Sequence, residues 1–388
     1  RDYRGAVRVR GFASTFEHTD AGIHRPKVVR CLGTDGERYK QLVKGDDEIR
    51  QDAVMQQVFG TVDALLGADD EARRRGLRVR TYRVVPLSPQ CGVIEWVRDT
   101  VPLGTYLFDR EGRGTGAHSR YHPDDMTFVE ARKLLKQATP GQLRAVFDGV
   151  CASFRPALRY FHLEHFPDPA DMFTARTSYT RSVAASSIVG YALGIGDRHL
   201  QNILVDLKTS EVIHIDFGVT FDQGRTLTTP ETVPFRLTRD IVDGMGLLGV
   251  QGTFTQCAEV VLRLLRAKTS TIITVVEVVI HDPLYRWMLS PHQARRIQRD
   301  DAVDGAAADE PAAHGLLESV APAHPAAASR AGAASAGSAV NRVRQKLQGY
   351  EDPTGEPLGV EGQVQHLIHA ATNPENLCRL YCGWAAYA

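Results

Sequence analysis

Gly194-Ile-Gly-Asp-Arg-His-Leu-Gln-Asn202, followed at a short distance by His214-Ile-Asp-Phe-Gly218, is the densest cluster of chemistry-bearing residues in this chain. Phosphoryl transfer needs an acid that accepts or orients the nucleophile's proton, and oxygen ligands that hold Mg²⁺ on the nucleotide phosphates. It also needs a cation on those phosphates. Asp197 suits the first role, and Asn202 and Asp216 suit the second. Each piece alone has a bland reading: Gly194 and Gly196 as helix-capping glycines, Asp197 as an ordinary loop acid, Asp216-Phe-Gly218 as a turn after a strand. Together, in this order and separated by a short β pair, they make a specific pattern.

Protein kinases place a catalytic acid five residues before a metal-binding Asn and an Asp-Phe-Gly slightly later, and Asp197, Asn202 and Asp216 keep that spacing. The local word is Asp-Arg-His, the reverse of the usual His-Arg-Asp. The phosphate cation should lie at a strand end ahead of a helix, which selects Lys44 in Leu42-Val-Lys44, with Asp47 three residues on to hold the ammonium. On its own, Lys44 would read as a solvent-facing strand end. An adenine pocket belongs at the hinge between lobes, where Glu95-Trp96-Val97 ends an apolar strand. Main-chain groups of Glu95 and Val97 can bond the base edge while Trp96 packs on its face. Outside that context Trp96 reads as a core residue. Ser14 to Lys27 stands where a phosphate-covering loop should be, yet carries only Gly22.

Working outward, the chain has 388 residues, 43% hydrophobic and 24% charged, enough for a full core. Lys plus Arg and Asp plus Glu number 46 each, which argues against a dedicated nucleic-acid or membrane-surface binder. The longest apolar stretch, Thr271 to Ile280, is too short to span a bilayer, and the first residues lack a signal core. Six cysteines without CxxC pairs read as reduced intracellular thiols. His162 and His165 have no third ligand in view and read as packed or surface histidines. Gly244-Met-Gly-Leu-Leu-Gly249 spells GxGxxG, but no apolar strand precedes it, so the dinucleotide reading fails. A Walker motif is absent.

The segments suggest an α+β, bilobal fold: a small β-rich N-lobe and hinge over residues 1–97, then a large helical C-lobe over 98–300. Lys27 to Leu32 and Arg38 to Lys44 read as strands joined by the turn Gly33-Thr-Asp-Gly36. Glu48 to Leu66 shows helical spacing of Ile49, Met55, Val58, Phe59, Val62, Leu65 and Leu66. Arg78 to Val85 and Gly92 to Val97 read as further strands. Residues 98–126 read as a linker with an exposed insertion, and 127–193 as helices. Ile203 to Asp206 and Glu211 to Ile215 read as a β pair, and a long loop leads to Asp240. Residues 301–355, Ala/Gly/Ser-rich in Ala302 to Ala339, read as a disordered linker. A packed element follows over 356–388.

These residues carry a family resemblance. Lys44-Gly-Asp-Asp-Glu-Ile-Arg-Gln-Asp52, Gly196 to Asn202 and His214 to Gly218 resemble the phosphatidylinositol 3-kinase-related protein kinases, whose fold is of the PI3K/PI4K type. Asp52 to Phe59, Tyr179 to Ala184 and Thr229 to Gly246 resemble its ataxia-telangiectasia mutated branch, and Leu358 to Trp384 resembles the C-terminal FATC element. The resemblance implies a serine/threonine protein kinase acting on Ser or Thr followed by Gln, in double-strand-break checkpoint signalling in the nucleus and also the cytoplasm. It implies ATP with Mg²⁺, Mn²⁺ being a substitute. Lys44, held by Asp47, would contact the phosphates; Glu95, Trp96 and Val97 would form the hinge; Leu204 and Ile215 would lie under the adenine. Asn202 and Asp216 would ligate Mg²⁺. Asp197 would orient or deprotonate the substrate hydroxyl and His199 would stabilise the transferring phosphoryl, with the division of proton transfer between them left open. Residues 194–202 would be the catalytic loop and 216–240 the activation loop, with Thr229, Pro230, Glu231, Pro234, Phe235 and Arg236 as substrate platform. The linker over 301–355 would be regulatory. The family's solenoid and FAT region are absent from this sequence, which implies the catalytic end of a longer protein or a truncated gene model. Contact with a DNA-break sensor complex would pass through that solenoid, direct membrane binding is not implied, and the full-length protein could homodimerise. Glu48 and Tyr387 depart from the branch's usual Asp and Trp.

Two rivals remain. A phosphoinositide lipid kinase shares the fold and catalytic words, but needs clustered basic residues in the activation loop. Between Phe217 and Arg239 only Arg225, Arg236 and Arg239 occur, none adjacent. A catalytically inactive scaffold is disfavoured because Lys44, Asp197, Asn202 and Asp216 are all present.

Overall fold

The β-prone runs around Gly33-Thr-Asp-Gly36 do form a hairpin, with Gly36 at φ +83° closing the turn. In the computed structural model of the chain, residues 5–19, 26–45, 49–88, 91–108, 114–280, 325–351 and 355–388 are described, the side chains of 279–280 and 325–336 excepted. Strands β3 (Lys27–Gly33) and β4 (Arg38–Gly45) pair antiparallel from Lys27↔Val43 to Leu32↔Arg38. They sit in a sheet ordered β1-β3-β4-β6-β5, with β1 (Val9–Phe12), β5 (Val84–Ser88) and β6 (Cys91–Glu95). A short β2 (Glu17–His18) pairs with β3. Lys44 stands opposite Gly92 in this sheet. A Cβ on Gly92 would fall 1.8 Å from Ile49 Cδ1, so the missing side chain lets Ile49 seat against the sheet where helix α1 begins.

Helix α1 (Arg50–Ala68) buries Met55, Val58, Phe59, Val62 and Leu66 of the expected face, while Leu65 is partly buried and Ile49 is buried just before the first turn. The strand expected from Arg78 is shorter than the pattern suggests and begins only at Val84. Leu77, Val79 and Tyr82 are buried, but Val79 N–H donates to Asp63 and Tyr82 N–H to Gln56, both on α1. Helix side chains have replaced a neighbouring strand as the acceptors, so the segment is extended without a ladder. A short α2 (Asp70–Arg74) follows α1.

The stretch read as an exposed linker, 98–126, is instead partly core. It forms β7 (Thr100–Pro102), α3 (Leu103–Leu107) and α4 (Ala117–Tyr121), with Leu103, Leu107, Phe108 and Ala117 buried. The Gly, Arg and Asp around it masked one compact apolar word, Val101-Pro-Leu-Gly-Thr-Tyr-Leu-Phe108. Strand β7 pairs with β8 (Ile203–Asp206), which pairs with β9 (Val212–His214), so the hinge runs directly into the sheet that carries the catalytic segments.

Around that sheet lie α5 (Phe128–Gln137), α6 (Leu143–Ala152), α7 (Arg159–His165) and the long α8 (Pro169–Ala192). Asp168 caps α8 by accepting from Ala170 and Asp171 N–H, with Pro169 in its first turn. Helices α9 (Arg239–Gly244), α10 (Thr253–Ala267) and α11 (Thr269–Ile280) follow. Gly244 to Gly249 is the end of α9 and its turn, with Leu247 and Leu248 exposed, not a strand-to-helix phosphate loop. His162 is buried, with Nε2 2.9 Å from Ser210 Oγ, a packed histidine.

The reading of 301–355 as disordered does not hold for its second half. Helix α12 (Pro325–Gln348) spans it, and Val340, Val343 and Leu347 are buried at helical spacing. Those three residues offset the ordering entropy that the Ala/Gly/Ser composition alone could not. Residues 301–324 lie outside the described residues. Helices α13 (Val360–Thr372) and α14 (Pro374–Leu377) complete the C-terminal element, which buries Trp384 and Tyr387 against the large lobe.

Candidate active site

Four segments converge in the cleft beneath β4. Lys44 Nζ lies 3.8 Å from Asp216 Oδ2 and 4.0 Å from Asp52 Oδ2. Lys44 is largely buried and Asp216 about half exposed, so the pair sits at the wall of a solvent-reachable cleft. The Lys44 ammonium, then Arg198, holds the Asp216 carboxyl below the usual carboxylate range against the opposing effect of burial, so Asp216 is ionised.

Asp52 was quoted in the sequence motif without a role. It is buried in the first turn of α1, and its Oδ1 accepts from Phe217 N–H at 2.8 Å while Oδ2 faces Lys44. One carboxylate thus ties helix α1, the cleft lysine and the Asp-Phe-Gly segment together. Gln51 Nε2 adds a bond to Thr220 Oγ1 at 2.7 Å, and the Phe59 and Phe217 rings meet edge to face at 4.9 Å. Asp47, the partner expected for Lys44, lies outside the described residues. An acid in the first helical turn behind a strand-end lysine was the available signal for Asp52.

The loop over 194–202 is held by its own side chains. Asn202 Nδ2 donates to the Asp197 carbonyl at 2.9 Å and lies 3.5 Å from its Oδ2. Asn202 O accepts from Ile215 N–H at 3.0 Å, which fixes the loop beside Asp216. Arg198, buried and given no role by sequence, donates to the carbonyls of Gly196 (2.8 Å), Ile215 (2.7 Å) and Asp216. Its guanidinium also lies over the Phe217 ring. His199 Nδ1 accepts from Gln201 N–H at 3.2 Å, which puts the proton of the neutral ring on Nε2.

Asp197 and Asp216 both adopt left-handed backbone conformations, φ 55° and 59°. Such strain at two acids in one cleft persists only where the surroundings over-determine it. For Asp197 the support is Glu231, whose Oε1 accepts from Asp197 N–H at 2.8 Å. Gly196 makes room, since a Cβ there would lie 2.5 Å from Glu231 Oε2. Burial first, and the Asp197 charge second, push the Glu231 carboxyl from its ordinary 4.5 up to about 7.

Glu231, Phe235 and Arg236 were expected on a substrate platform, and the structure turns all three inward. Phe235 and Arg236 are buried, the latter against the C-terminal element. Pro230 is exposed, and Thr229 and Pro234 are partly exposed. Arg236 Nη1 donates to the Trp384 carbonyl at 2.6 Å and Nη2 to the Ala385 carbonyl at 3.0 Å, with the guanidinium 4.5 Å from the Trp384 ring centroid.

At the hinge, Glu95 N–H already donates to the Arg83 carbonyl at 2.8 Å. Val97 O accepts from Thr100 Oγ1 at 2.9 Å, and Val97 N–H makes no hydrogen bond among the described residues. Trp96 is 37% exposed with Lys40 Nζ 5.2 Å from its ring centroid, so it is not a core tryptophan. Leu204 pairs with Pro102 just beyond the hinge, and Ile215 precedes Asp216, which puts both apolar side chains on the catalytic sheet and its exit.

The donor set fits a hard divalent cation on phosphates: an ionised carboxylate at Asp216 and the Asn202 Oδ1, which accepts no hydrogen bond among the described residues. A small sheet that presents a lysine to an Asp-Phe-Gly acid across an interlobe cleft is the architecture of the bilobal kinases. Residues 38–289 match the family model of phosphatidylinositol 3- and 4-kinase, and the chain belongs to that family. Residues 357–388 match the FATC domain. The chain is 47% identical to the serine/threonine-protein kinase ATM of Arabidopsis thaliana, over 94% of this chain and 9% of that protein. It is 42% identical to the serine/threonine-protein kinase tel1 of Schizosaccharomyces pombe, over 100% of this chain and 13% of that one. Among solved structures, the open conformation of CtTel1 superposes with a TM-score of 0.83 at 40% identity, over 100% of this chain and 13% of that chain. The chain therefore spans about a tenth of the length of the relatives it matches.

Proposed function

We propose that the chain is the catalytic portion of an ATM/Tel1-type serine/threonine protein kinase, which transfers the ATP γ-phosphate to Ser or Thr followed by Gln. The observation that carries the phosphotransferase reading is the Lys44–Asp216 contact at 3.8 Å, with Asp52 behind it and Asn202 bonded to Asp197. Lys44 neutralises and positions the nucleotide phosphates. Asn202 and Asp216 would hold Mg²⁺, or Mn²⁺ in its place, which when bound neutralises charge on the phosphates. Asp197 orients the substrate hydroxyl and takes up its proton, alone or shared with His199, and His199 Nε2–H is the donor suited to the transferring phosphoryl oxygens. Val97 N–H and the Glu95 carbonyl receive the base edge, Trp96 lies beside it, and Leu204 and Ile215 lie under it.

Protein rather than lipid as acceptor is supported by the activation segment. Of its three arginines, Arg236 is buried and Arg239 donates to the Cys151 and Phe154 carbonyls, which leaves Arg225 as the exposed one. One exposed guanidinium is a poor site for a phosphorylated head group. Gln selectivity, a nuclear role in DNA-damage checkpoint signalling, sensor contacts through a solenoid, and homodimerisation follow from the likeness to ATM and Tel1.

The test is Mg-ATP phosphoryl transfer by the chain and by Asp216→Ala, each offered a Ser-Gln peptide, a Ser-Ala peptide and phosphoinositide vesicles. Transfer to Ser-Gln alone, lost in the variant, is expected. Transfer to lipid, or equal transfer to both peptides, overturns the acceptor reading. ATP binding without transfer to any of the three overturns the catalytic one.

A further inference from the structure

A groove of about 510 Å³ lies outside the cleft, between α5, α6 and the C-terminal element. Helix α5 contributes Val129, Arg132, Lys133 and Lys136, which fall at i, i+3, i+4 and i+7 and therefore form one stripe. The C-terminal element contributes Arg379 from the opposite wall, Phe147 of α6 is part of the apolar floor, and Thr229 of the activation segment also lines it. Four cations and no carboxylate line this groove, in a chain whose charges balance at 46 against 46. Acids on the flanking elements are engaged elsewhere: Asp148 and Glu375 bond Arg144 at 2.8 and 2.6 Å, and Glu130 closes a capping box with Thr127. Lys133, Lys136 and Arg379 are exposed.

We propose that this groove docks an acidic stretch of the protein substrate, separate from the residues around the phosphorylated hydroxyl. Charge complementarity selects an anion, and the exposed apolar side chain of Val129 in the lining selects a polypeptide over a nucleic-acid backbone, which would leave it uncovered. Thr229 ties the groove to the activation segment, so a single substrate chain can engage both. The inference rests on the protein-kinase reading above.

The experiment uses the chain and its Lys133→Ala/Lys136→Ala/Arg379→Ala variant with peptides that share one Ser-Gln acceptor. A neutral spacer on either side joins the acceptor to six Glu or, as control, six Gln. The Glu tail should lower KM about tenfold, the effect of three exposed ion pairs of ordinary strength acting together. The triple variant and raised salt should erase that difference while kcat on the Gln-tailed peptide stays unchanged. Equal KM for both tails in the unaltered chain, or a preference that survives the triple substitution, overturns the proposal. Fluorescence anisotropy of a labelled six-Glu peptide without ATP reads the groove independently of catalysis. Peptide binding that depends on the three cations, with no phosphorylation of either substrate, would sink the kinase reading and leave the groove as an acidic-peptide site. A DNA oligonucleotide bound through the same three residues where the Glu peptide is not would overturn the peptide assignment.

Discussion

Arg236→Met is expected to loosen the C-terminal element selectively. Arg236 is 3% exposed and lies between the end of the activation segment and the last turn of the chain. Two well-formed bonds reach the Trp384 and Ala385 carbonyls at 2.6 and 3.0 Å, and longer ones reach Ala388 O at 3.3 Å and Arg198 O at 3.4 Å. Hydrogen bonds to a charged group contribute about 1.5–3 kcal/mol each, and a desolvated cation over an indole about 2 kcal/mol. Against this stands the cost of burying the cation, visible in the lowering of its pKa to about 9 by burial. Methionine removes that cost but strands two carbonyls, so the net loss should be about 2–4 kcal/mol.

A two-lobed chain need not unfold in one step, so a global midpoint is the wrong readout. Amide hydrogen exchange resolved by segment is the right one. Protection over residues 374–388 should fall about a hundredfold, the exponential of roughly 3 kcal/mol, while the core of α8 and α10 keeps its protection. Arg236→Lys should give an intermediate loss, because a point charge cannot fork between two carbonyls. Protection within about threefold of the unaltered chain in Arg236→Met would refute the claim that this guanidinium anchors the element.

Asp52→Asn should keep the acceptor for Phe217 N–H but remove the charge facing Lys44. ATP KM should rise and kcat should fall about tenfold or more, with no change in the protection of α1; unaltered kinetics would remove Asp52 from the site. Glu231 has a folded-state pKa raised from 4.5 to about 7, so the folded chain binds a proton more readily than the unfolded one. Its stabilising contribution is complete below about pH 4.5 and is lost as pH rises through about 7. Glu231→Gln should therefore flatten the pH dependence of urea unfolding between those values relative to the unaltered chain, and parallel curves would argue against a buried, proton-holding Glu231.

What the sequence made legible was the chemistry. Asp197, Asn202, Asp216 and Lys44 stand out because their order and spacing are those that phosphoryl transfer would demand, and the structure brings Lys44 to Asp216 and Asn202 to Asp197. The helix observed over Arg50–Ala68 and the hairpin at Gly36 were legible because period and turn chemistry are local. Asp52 was not, because its role depends on α1 starting beside Phe217, 165 positions away. Arg236 was expected on the substrate platform because nothing local says that residues 384–388 cover it. The buried triplet of α12 was diluted by the small residues around it, and 77–83 lost its ladder to side chains of α1 that no strand pattern can report.

The parts that escaped the sequence share a location, and that has a mechanical consequence. Strained Asp197 is held by Glu231, the segment after Glu231 is pinned by Arg236 to Trp384 and Ala385, and Arg239 and Asp240 fasten its far end. Asp240, fully buried, accepts from Ala157 and Leu158 N–H and meets His118 Nε2 at 3.1 Å. On the near side, Lys346 of α12 reaches Asp222 Oδ1 at 2.8 Å. The segment from Asp222 to Asp240 is thus clamped from α12 at one end and from the FATC element at the other, with the carboxyl group that supports Asp197 between the clamps. A left-handed acid costs about 1–3 kcal/mol to maintain, and neither Glu231 nor Asn202 can supply that unless the segment bearing Glu231 is itself fixed. The C-terminal residues therefore act on the acid through the segment they hold, so loss of Arg236 should lower kcat before it alters ATP affinity.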